Sequence, residues 1–134
     1  MNDCIFCSIA AGTQGERVHE DERTVAFLDI SPAAGGHVLV IPRAHADDIH
    51  SADPADLAAC AQTAQLMAGR VSGALGCDGV TVMQSNGRAA GQSVFHYHVH
   101  VIPRFDRDGV LRPWTPGSAT PDELARTGAL LRGE

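Results

Sequence analysis

The sequence of 134 residues contains no lysine, and all ten of its basic residues are arginine. This absence excludes chemistry that needs a lysine amine, such as a P-loop phosphate contact, a Schiff base or a covalent nucleotidyl-lysine. The chain has no basic run and a formal net charge of −6, so nucleic-acid binding has no electrostatic support. Should the protein react covalently with phosphorus, histidine is the obvious nucleophile that remains.

Long apolar segments are also missing. No stretch approaches the roughly 20 apolar residues of a membrane-spanning helix. Residues 1–4 lack the basic segment and apolar core of a signal peptide. The length suits one compact domain. We therefore expect a cytoplasmic protein without a membrane partner.

The pattern of secondary structure predicts an α+β domain. Strand-like segments occur at 25–29, 38–41, 79–84 and 94–102. Asp53-Pro54 is a helix-start signal, and apolar residues then recur at helical spacing until Gly76 ends the run. Because this helix is rich in alanine and carries few charges, we expect a homodimer interface to cover part of it. Short helices are predicted near each end of the chain, the second beginning with a capping box at Thr120.

Three histidines, His96, His98 and His100, alternate within an apolar run. In a strand this spacing places all three imidazoles on one side. An imidazole can act as a base, a nucleophile, a phosphate donor or a metal ligand. The outer two rings would lie roughly 13 Å apart along a strand, too far to share one zinc ion with bonds of about 2.1 Å. The three histidines must therefore divide their roles.

The loop before this segment, residues 85–93, is polar and contains glycine. Its backbone N–H groups and short side chains are suited to phosphate oxygens, although an ordinary hairpin loop has the same composition. Near the other end of the chain, Cys4 and Cys7 form a C-x2-C pair. In a cytosolic protein this spacing indicates metal or redox chemistry, or else two reduced surface thiols.

Residues 96–102 read His-φ-His-φ-His-φ-φ, which resembles the signature of the histidine triad (HIT) superfamily of nucleotide hydrolases and transferases. The segments 26–32, 36–42 and 91–94 also resemble family segments, in the family order. The resemblance covers residues 4–104, and only Trp114 and its surroundings continue it. It implies a HIT domain over residues 1–104, with residues 105–134 forming a tail whose short helix packs on the same domain. The implied fold is an antiparallel five-stranded sheet with one long helix and short terminal helices.

The resemblance also implies catalytic roles. His98 would attack the α-phosphorus of a nucleotide and form a nucleotidyl-imidazole that water then hydrolyses. The proton on its other nitrogen must be held by an acceptor, for which we expect a backbone carbonyl. His100 would contact phosphate oxygens or the leaving group, and His37 would lie beside the α-phosphate. Ser93 and Gln92 would bind phosphate or assist the leaving group.

Four further residues are expected to bind the nucleotide. Asp29 matches the family carboxylate that accepts hydrogen bonds from the ribose hydroxyls, and Asn86 would be a further phosphate ligand. Phe6 and Ile30 would form walls around the base. Because base contacts in the family are largely apolar, we expect a preference for purines with weak selectivity among them.

The C-x2-C pair resembles that of the zinc-binding members of the superfamily and of the related hexose-1-phosphate uridylyltransferases. By that resemblance, the ligands would be Cys4, Cys7, His45 and His96. Because a Cys2His2 set leaves no open position on tetrahedral zinc, the ion would be structural. It would hold the N-terminal segment against the start of the catalytic strand.

The implied activity is hydrolysis of a P–N or P–O bond at the α-phosphate of a purine nucleotide, with nucleoside phosphoramidates as the favoured substrates. Dinucleoside polyphosphates are the enzymatic alternative. A nucleotide-binding regulatory protein with little catalysis is the alternative of another class. A transferase is disfavoured because 134 residues leave little room for a second substrate site.

Overall fold

The structure is a computed structural model of the chain and describes residues 3–134. Its elements follow one another in the order α1 (Ile5–Ala10), β1 (Arg17–Glu20), β2 (Thr24–Leu28), β3 (Val38–Pro42), α2 (Pro54–Leu75), β4 (Gly79–Met83), a 3-10 turn (Arg88–Ala90), β5 (Val99–Arg104) and α3 (Pro121–Leu131). None of the helices within the described residues is both long enough and apolar enough to cross a membrane.

The five strands form one antiparallel sheet in the order β1-β2-β3-β5-β4. Strand β5 lies between β3 and β4. Its residue Val99 is opposite Val40 on β3, and His100 is opposite Met83 on β4. The predicted α+β class and five-stranded antiparallel sheet are thereby confirmed. Strand β1 was not predicted from the sequence, because its four residues contain no apolar run. In the structure they alternate between partly buried and exposed.

Each face of the sheet is covered by different elements. Helix α2 begins with the Asp53 side chain accepting from the N–H of Ala55 and ends at Gly76, in a left-handed conformation with φ 62°. It packs against the face that carries Val38, Val40 and Val101. The opposite face packs against α1 and carries Val25, Phe27, Leu39 and Ile41. Because strand side chains alternate, His100, the neighbour of Val101, lies on the α1 face.

The predicted strand over 94–102 was wrong in its start, because β5 begins only at Val99. The N–H of Tyr97 donates to the carbonyl of Ala46 in a loop at 2.7 Å, instead of to a neighbouring strand. His96 and His98 therefore precede β5, and of the three alternating histidines only His100 belongs to it. This departure lets the three imidazoles face different partners.

The C-terminal segment contains the expected helix. Thr120 and Glu123 form the predicted capping box at the start of α3. This helix buries none of its residues, and Leu130 and Leu131 on it are exposed. The division at residue 104 and the packing of the tail on the domain stay predictions, and residues 1 and 2 of the predicted domain lie outside the described residues.

Candidate active site

Three imidazoles meet on the α1 face of the sheet. The Nε2 atom of His37 lies 2.9 Å from the Nδ1 atom of His100. The ring centroids of His98 and His100 are 5.0 Å apart. The carboxylate of Asp29 is 3.6 Å from His37 Nε2. The loop between β2 and β3 thus supplies one imidazole and one carboxylate, and the segment entering β5 supplies the other two rings.

Backbone partners determine which nitrogen of each ring carries the proton. The N–H of Ala33 donates to Nδ1 of His37 at 2.9 Å, so a neutral His37 carries its proton on Nε2 and donates it to His100. His100 then carries its own proton on Nε2. His98 donates from Nδ1 to the carbonyl of His96 at 2.7 Å, which leaves a lone pair on its Nε2. The expected backbone carbonyl acceptor for His98 is confirmed.

Burial keeps these three imidazoles neutral at pH 7. It lowers the pKa of His37 and of His98 below the ordinary value for histidine, opposed in both by the Asp29 charge and, for His98, by the bond to the carbonyl of His96. The pKa of His100 falls to about 4, because burial and the neighbouring His98 and His37 rings disfavour its charged form. A neutral imidazole keeps the lone pair that a nucleophile needs.

An apolar cavity of about 440 Å³ opens beside the imidazoles. Its volume is in the range of small-molecule sites. The Phe6 ring on α1 contacts the His98 ring edge-to-face, with centroids 5.1 Å apart, and packs against Phe27 at 5.2 Å. Further apolar walls come from Ile5, Ile9 and Leu39, and the polar lining residues are Gln14, Asp29, Ser31, Ser93, His98 and His100.

Most residues with predicted nucleotide or catalytic roles are brought together here. Phe6, Asp29, Ile30, Ser93, His98 and His100 line the cavity, and His37 is hydrogen-bonded to His100. Two predicted phosphate ligands are engaged in the loop instead. Asn86 Oδ1 accepts from the N–H of Ile49, and the Gln92 amide binds Gly87 N–H and the carbonyl of Asp47. Neither is among the lining residues, and their contact with phosphate stays a prediction.

Sequence reasoning missed several walls of the cavity. Ile5 and Ile9 lie four residues apart on α1, a spacing that places them on one helix face with Phe6 beside them. A prediction of helix over residues 5–10 could therefore have identified them. Phe27 is on the same side of β2 as Val25, as strand alternation dictates. Gln14 lies in an irregular loop, and nothing in the sequence indicates its position.

A second cluster joins the N-terminal segment to the start of the histidine segment. Cys4 Sγ is 3.4 Å from His96 Nδ1, while Cys7 Sγ is 3.3 Å from His45 Nδ1 and 3.4 Å from His96 Nδ1. The Nε2 atoms point away, to the carbonyl of Pro42 at 2.8 Å for His96 and to the Asp47 carboxylate at 2.9 Å for His45. Metal-binding histidines have this arrangement, because an acceptor on one nitrogen directs the lone pair of the other to the metal. The four residues could hold one metal ion.

Asp29, His37 and His100 also place ligand atoms within 4.8 Å of one another. They suit a metal poorly, because Nδ1 of His37 already accepts from the N–H of Ala33. The neutral ring must keep its proton on Nε2, the nitrogen that faces the other two residues. We therefore assign this group to hydrogen bonding.

The fold thus places a cluster of neutral imidazoles beside a cavity of small-molecule size. The chain belongs to the HIT family: residues 12–107 match the HIT domain. Its relatives include adenosine 5'-monophosphoramidase hnt1 of Schizosaccharomyces pombe, which is 36% identical over 127 residues and covers 93% of this chain and 92% of the relative. Adenylylsulfatase HINT3 of Arabidopsis thaliana is 37% identical over 109 residues, which are 81% of this chain and 55% of that protein. The chain thus spans about half the length of the Arabidopsis relative.

Solved structures show the same fold. A HIT family protein from Bacillus anthracis superposes with a TM-score of 0.91 at 32% identity, covering 98% of this chain and 96% of the other. A Zn-bound histidine triad family protein from Mycobacterium smegmatis superposes with a TM-score of 0.78 at 35% identity, covering 98% of this chain and 91% of the other.

Proposed function

We propose that the protein hydrolyses a P–N or P–O bond at the α-phosphate of a purine nucleotide, through a covalent nucleotidyl-His98 intermediate. The observation that carries the proposal is the neutral His98 ring, whose Nδ1 proton is held by a carbonyl and whose Nε2 lone pair remains available at the cavity. Membership in the HIT family and the phosphoramidase relative of Schizosaccharomyces pombe support it.

The hydrogen bonds suggest how the residues share the reaction. His98 Nε2 attacks the α-phosphorus while the bond to the leaving nitrogen or oxygen breaks. As positive charge develops on the His98 ring, the carbonyl of His96 stabilises it through the Nδ1 proton. His100 presents its Nε2–H to a phosphate oxygen, or transfers this proton to a leaving nitrogen, which departs as the neutral amine; Ser93 assists from the cavity wall. Water then attacks the phosphorus as the bond to His98 Nε2 breaks, which restores neutral His98, and a proton from the water replaces the one that His100 gave up.

The rest of the cavity would bind the nucleoside. Asp29 lines the cavity and would accept hydrogen bonds from the ribose hydroxyls, while its charge partly opposes the burial that lowers the pKa of the nearby His37. Phe6 and Ile30, with the α1 side chains, would enclose the base. Asn86 and Gln92 would act on phosphate mainly by holding the loop that carries Ser93, since their amides are engaged there.

We further propose that Cys4, Cys7, His45 and His96 hold a structural zinc ion. The two thiols and two correctly oriented imidazoles are a donor set that zinc prefers. The Zn-bound relative from Mycobacterium smegmatis supports this assignment. With four protein ligands, zinc would supply cross-linking of the chain and no open position for catalysis.

A homodimer through the helix over residues 54–75, in the cytoplasm, remains part of the proposal. Exposed Val82 and Met83 on β4 adjoin Ala61 of α2 in an apolar surface cleft. A second copy covering this cleft would bury the outer edge of the sheet. Sedimentation velocity of the purified protein and of Val82→Glu tests this, with a dimer expected for the first and a monomer for the second.

The activity is tested by incubating the purified protein with adenosine 5'-phosphoramidate and, separately, with diadenosine polyphosphates. We expect AMP to be released faster from the phosphoramidate, and rapid quenching followed by mass spectrometry should find adenylyl groups on His98. Absence of AMP from every substrate would contradict the proposed hydrolase. An adduct on another residue would contradict the role of His98.

A further inference from the structure

The polar lining residues of the cavity come from three segments of the chain. Ser93, His98 and His100 precede or begin β5, Asp29 and Ser31 follow β2, and Gln14 follows α1. The Phe6 ring contacts His98, and Ile9 lies about one helical turn further along α1, at roughly 1.5 Å per residue. Gly15 lies against Ile9, since a Cβ built on it would be 3.1 Å from Ile9 Cγ1. Gln14, which lines the cavity beside Gly15, is therefore at the end remote from His98.

The loop that carries Gln14 is fixed at both ends. It leaves α1 after the N–H of Gly12 has bonded to the carbonyl of Ile9 at 3.0 Å, and it is joined to β2 by the N–H of Leu28 donating to the carbonyl of Glu16 at 3.0 Å. Among residues 3–134, no group forms a hydrogen bond with the Gln14 carboxamide. This side chain can therefore turn its amide toward a ligand without breaking a contact.

The residues of α1 and β2 that line the cavity are all apolar. Ile5, Phe6, Ile9 and Phe27 can enclose a flat base, but they offer nothing that distinguishes one base edge from another. A carboxamide presents a donor and an acceptor side by side. Adenine presents the complementary pair, its 6-amino donor next to the N7 acceptor, and glutamine recognises this edge of adenine in other proteins. A 6-oxopurine presents two acceptors on the same edge, so one of the two bonds is lost.

We propose that Gln14 determines base specificity by hydrogen-bonding the 6-amino group and adjacent ring nitrogen of adenine. This inference rests on the proposed function, because it takes the cavity as the nucleoside site. It sharpens the expectation of weak selectivity among purines into a preference for adenine over 6-oxopurines.

Binding of nucleoside monophosphates tests the proposal without turnover. The dissociation constants of AMP, IMP and purine riboside 5'-monophosphate, which lacks the 6-amino group, are measured by calorimetry for the unaltered protein and for Gln14→Leu. Loss of one neutral hydrogen bond should make IMP and the purine riboside nucleotide bind about three- to tenfold more weakly than AMP. In Gln14→Leu the three constants should converge. Gln62→Leu, on the exposed face of α2, is the matched control and should keep the preference.

Equal constants for the three nucleotides in the unaltered protein would overturn the proposal, as would a preference for IMP or a preference that survives in Gln14→Leu. Thermal melting of both variants shows whether the exposed substitutions leave the fold intact. Failure of the proposed function has a different signature: AMP binds selectively but no substrate is cleaved. Cleavage without base preference would overturn only the role of Gln14.

Discussion

At the scale of single residues, backbone hydrogen bonds make chemically identical side chains different. The carbonyl of Pro42 directs the lone pair of His96 toward two cysteines, and the carbonyl of His96 leaves that of His98 at the cavity. In His37 the acceptor is Nδ1, which bonds the N–H of Ala33. The proton of this ring is therefore on Nε2, from which it donates to His100. Because these partners belong to the main chain, the division of roles follows from the fold, and the residue types alone do not specify it.

The first prediction concerns the nucleophile. His98→Asn removes the Nε2 lone pair, so turnover of a nucleoside phosphoramidate should fall by at least about 10³-fold. Asparagine fits within the space of the ring, so the AMP dissociation constant should change by less than about threefold. Steady-state kinetics and calorimetry on the same preparation separate the two effects. His50→Asn, an exposed histidine in the loop before α2, is the control, and turnover by His98→Asn near the normal rate would eliminate His98 as nucleophile.

The second prediction concerns His37, which donates to His100 without lining the cavity. His37→Leu removes this donor and should lower kcat by about 10- to 100-fold, by analogy with the loss of a group that orients a metal-binding imidazole. His37→Gln can still donate through its amide, and we expect it to recover most of the rate. Equal losses in the two variants, measured at saturating substrate, would show that the hydrogen bond to His100 is unimportant.

At the scale of elements, the sequence predicted the bounds of a helix or strand only where residues close in sequence determine them. Helix α2 has an N-cap, a proline and a terminal glycine in its sequence, and its bounds could be predicted residue by residue. The start of β5 could not, because it depends on a hydrogen bond from Tyr97 to Ala46, a residue 51 positions away. The position of Gln14 at the cavity could not be predicted for a similar reason, because it depends on how α1 packs against the sheet.

Helix α1 connects the two clusters, and this gives the third prediction. Cys4 is its N-cap, Cys7 is in its first turn, and Phe6 lies between them against both His96 and His98. If zinc holds the two cysteines, removing it should release α1 and one wall of the cavity. We expect AMP to bind about tenfold more weakly after chelation, with recovery when zinc is restored.

Metal content measured by mass spectrometry should show about one zinc per chain before chelation and less than a tenth of that afterwards. Cys7→Ser should reproduce the weaker binding, and Cys77→Ser, at a cysteine outside the cluster, should not. Unchanged AMP binding in a protein shown to have lost its zinc would mean that α1 stays in place without the metal.

At the scale of the whole molecule, the two faces of the sheet differ in composition. The α2 face is a continuous apolar core that includes Val40, Met67 and Val101. The α1 face carries a smaller apolar cluster and, beside it, the buried imidazoles. Apolar packing therefore stabilises both faces, and the histidines whose pKa is lowered by burial lie on the α1 face.

The last prediction is that the free energy of unfolding falls as the pH decreases from about 6.5 toward 4. The pKa of His100 is about 4 in the folded chain and about 6.5 in an unfolded one. Between these values the unfolded chain binds a proton that the folded chain does not, so stability rises with pH in this window and is lost on acidification. One such histidine contributes a slope of up to about 1.4 kcal/mol per pH unit. Burial of His37 and His98 acts in the same direction.

Zinc release would also destabilise the protein in acid, so the contribution of His100 must be measured as a difference. Urea unfolding of the unaltered protein and of His100→Asn, at intervals from pH 7.5 to 4.5, provides it, because both keep Cys4, Cys7, His45 and His96. Asparagine can still accept from His37 but does not titrate. The curve of the unaltered protein should therefore be the steeper one below pH 6.5, and the two should run parallel above it. Parallel curves over the whole range would mean that His100 has an ordinary pKa in the folded chain, and that its proton is not excluded by burial.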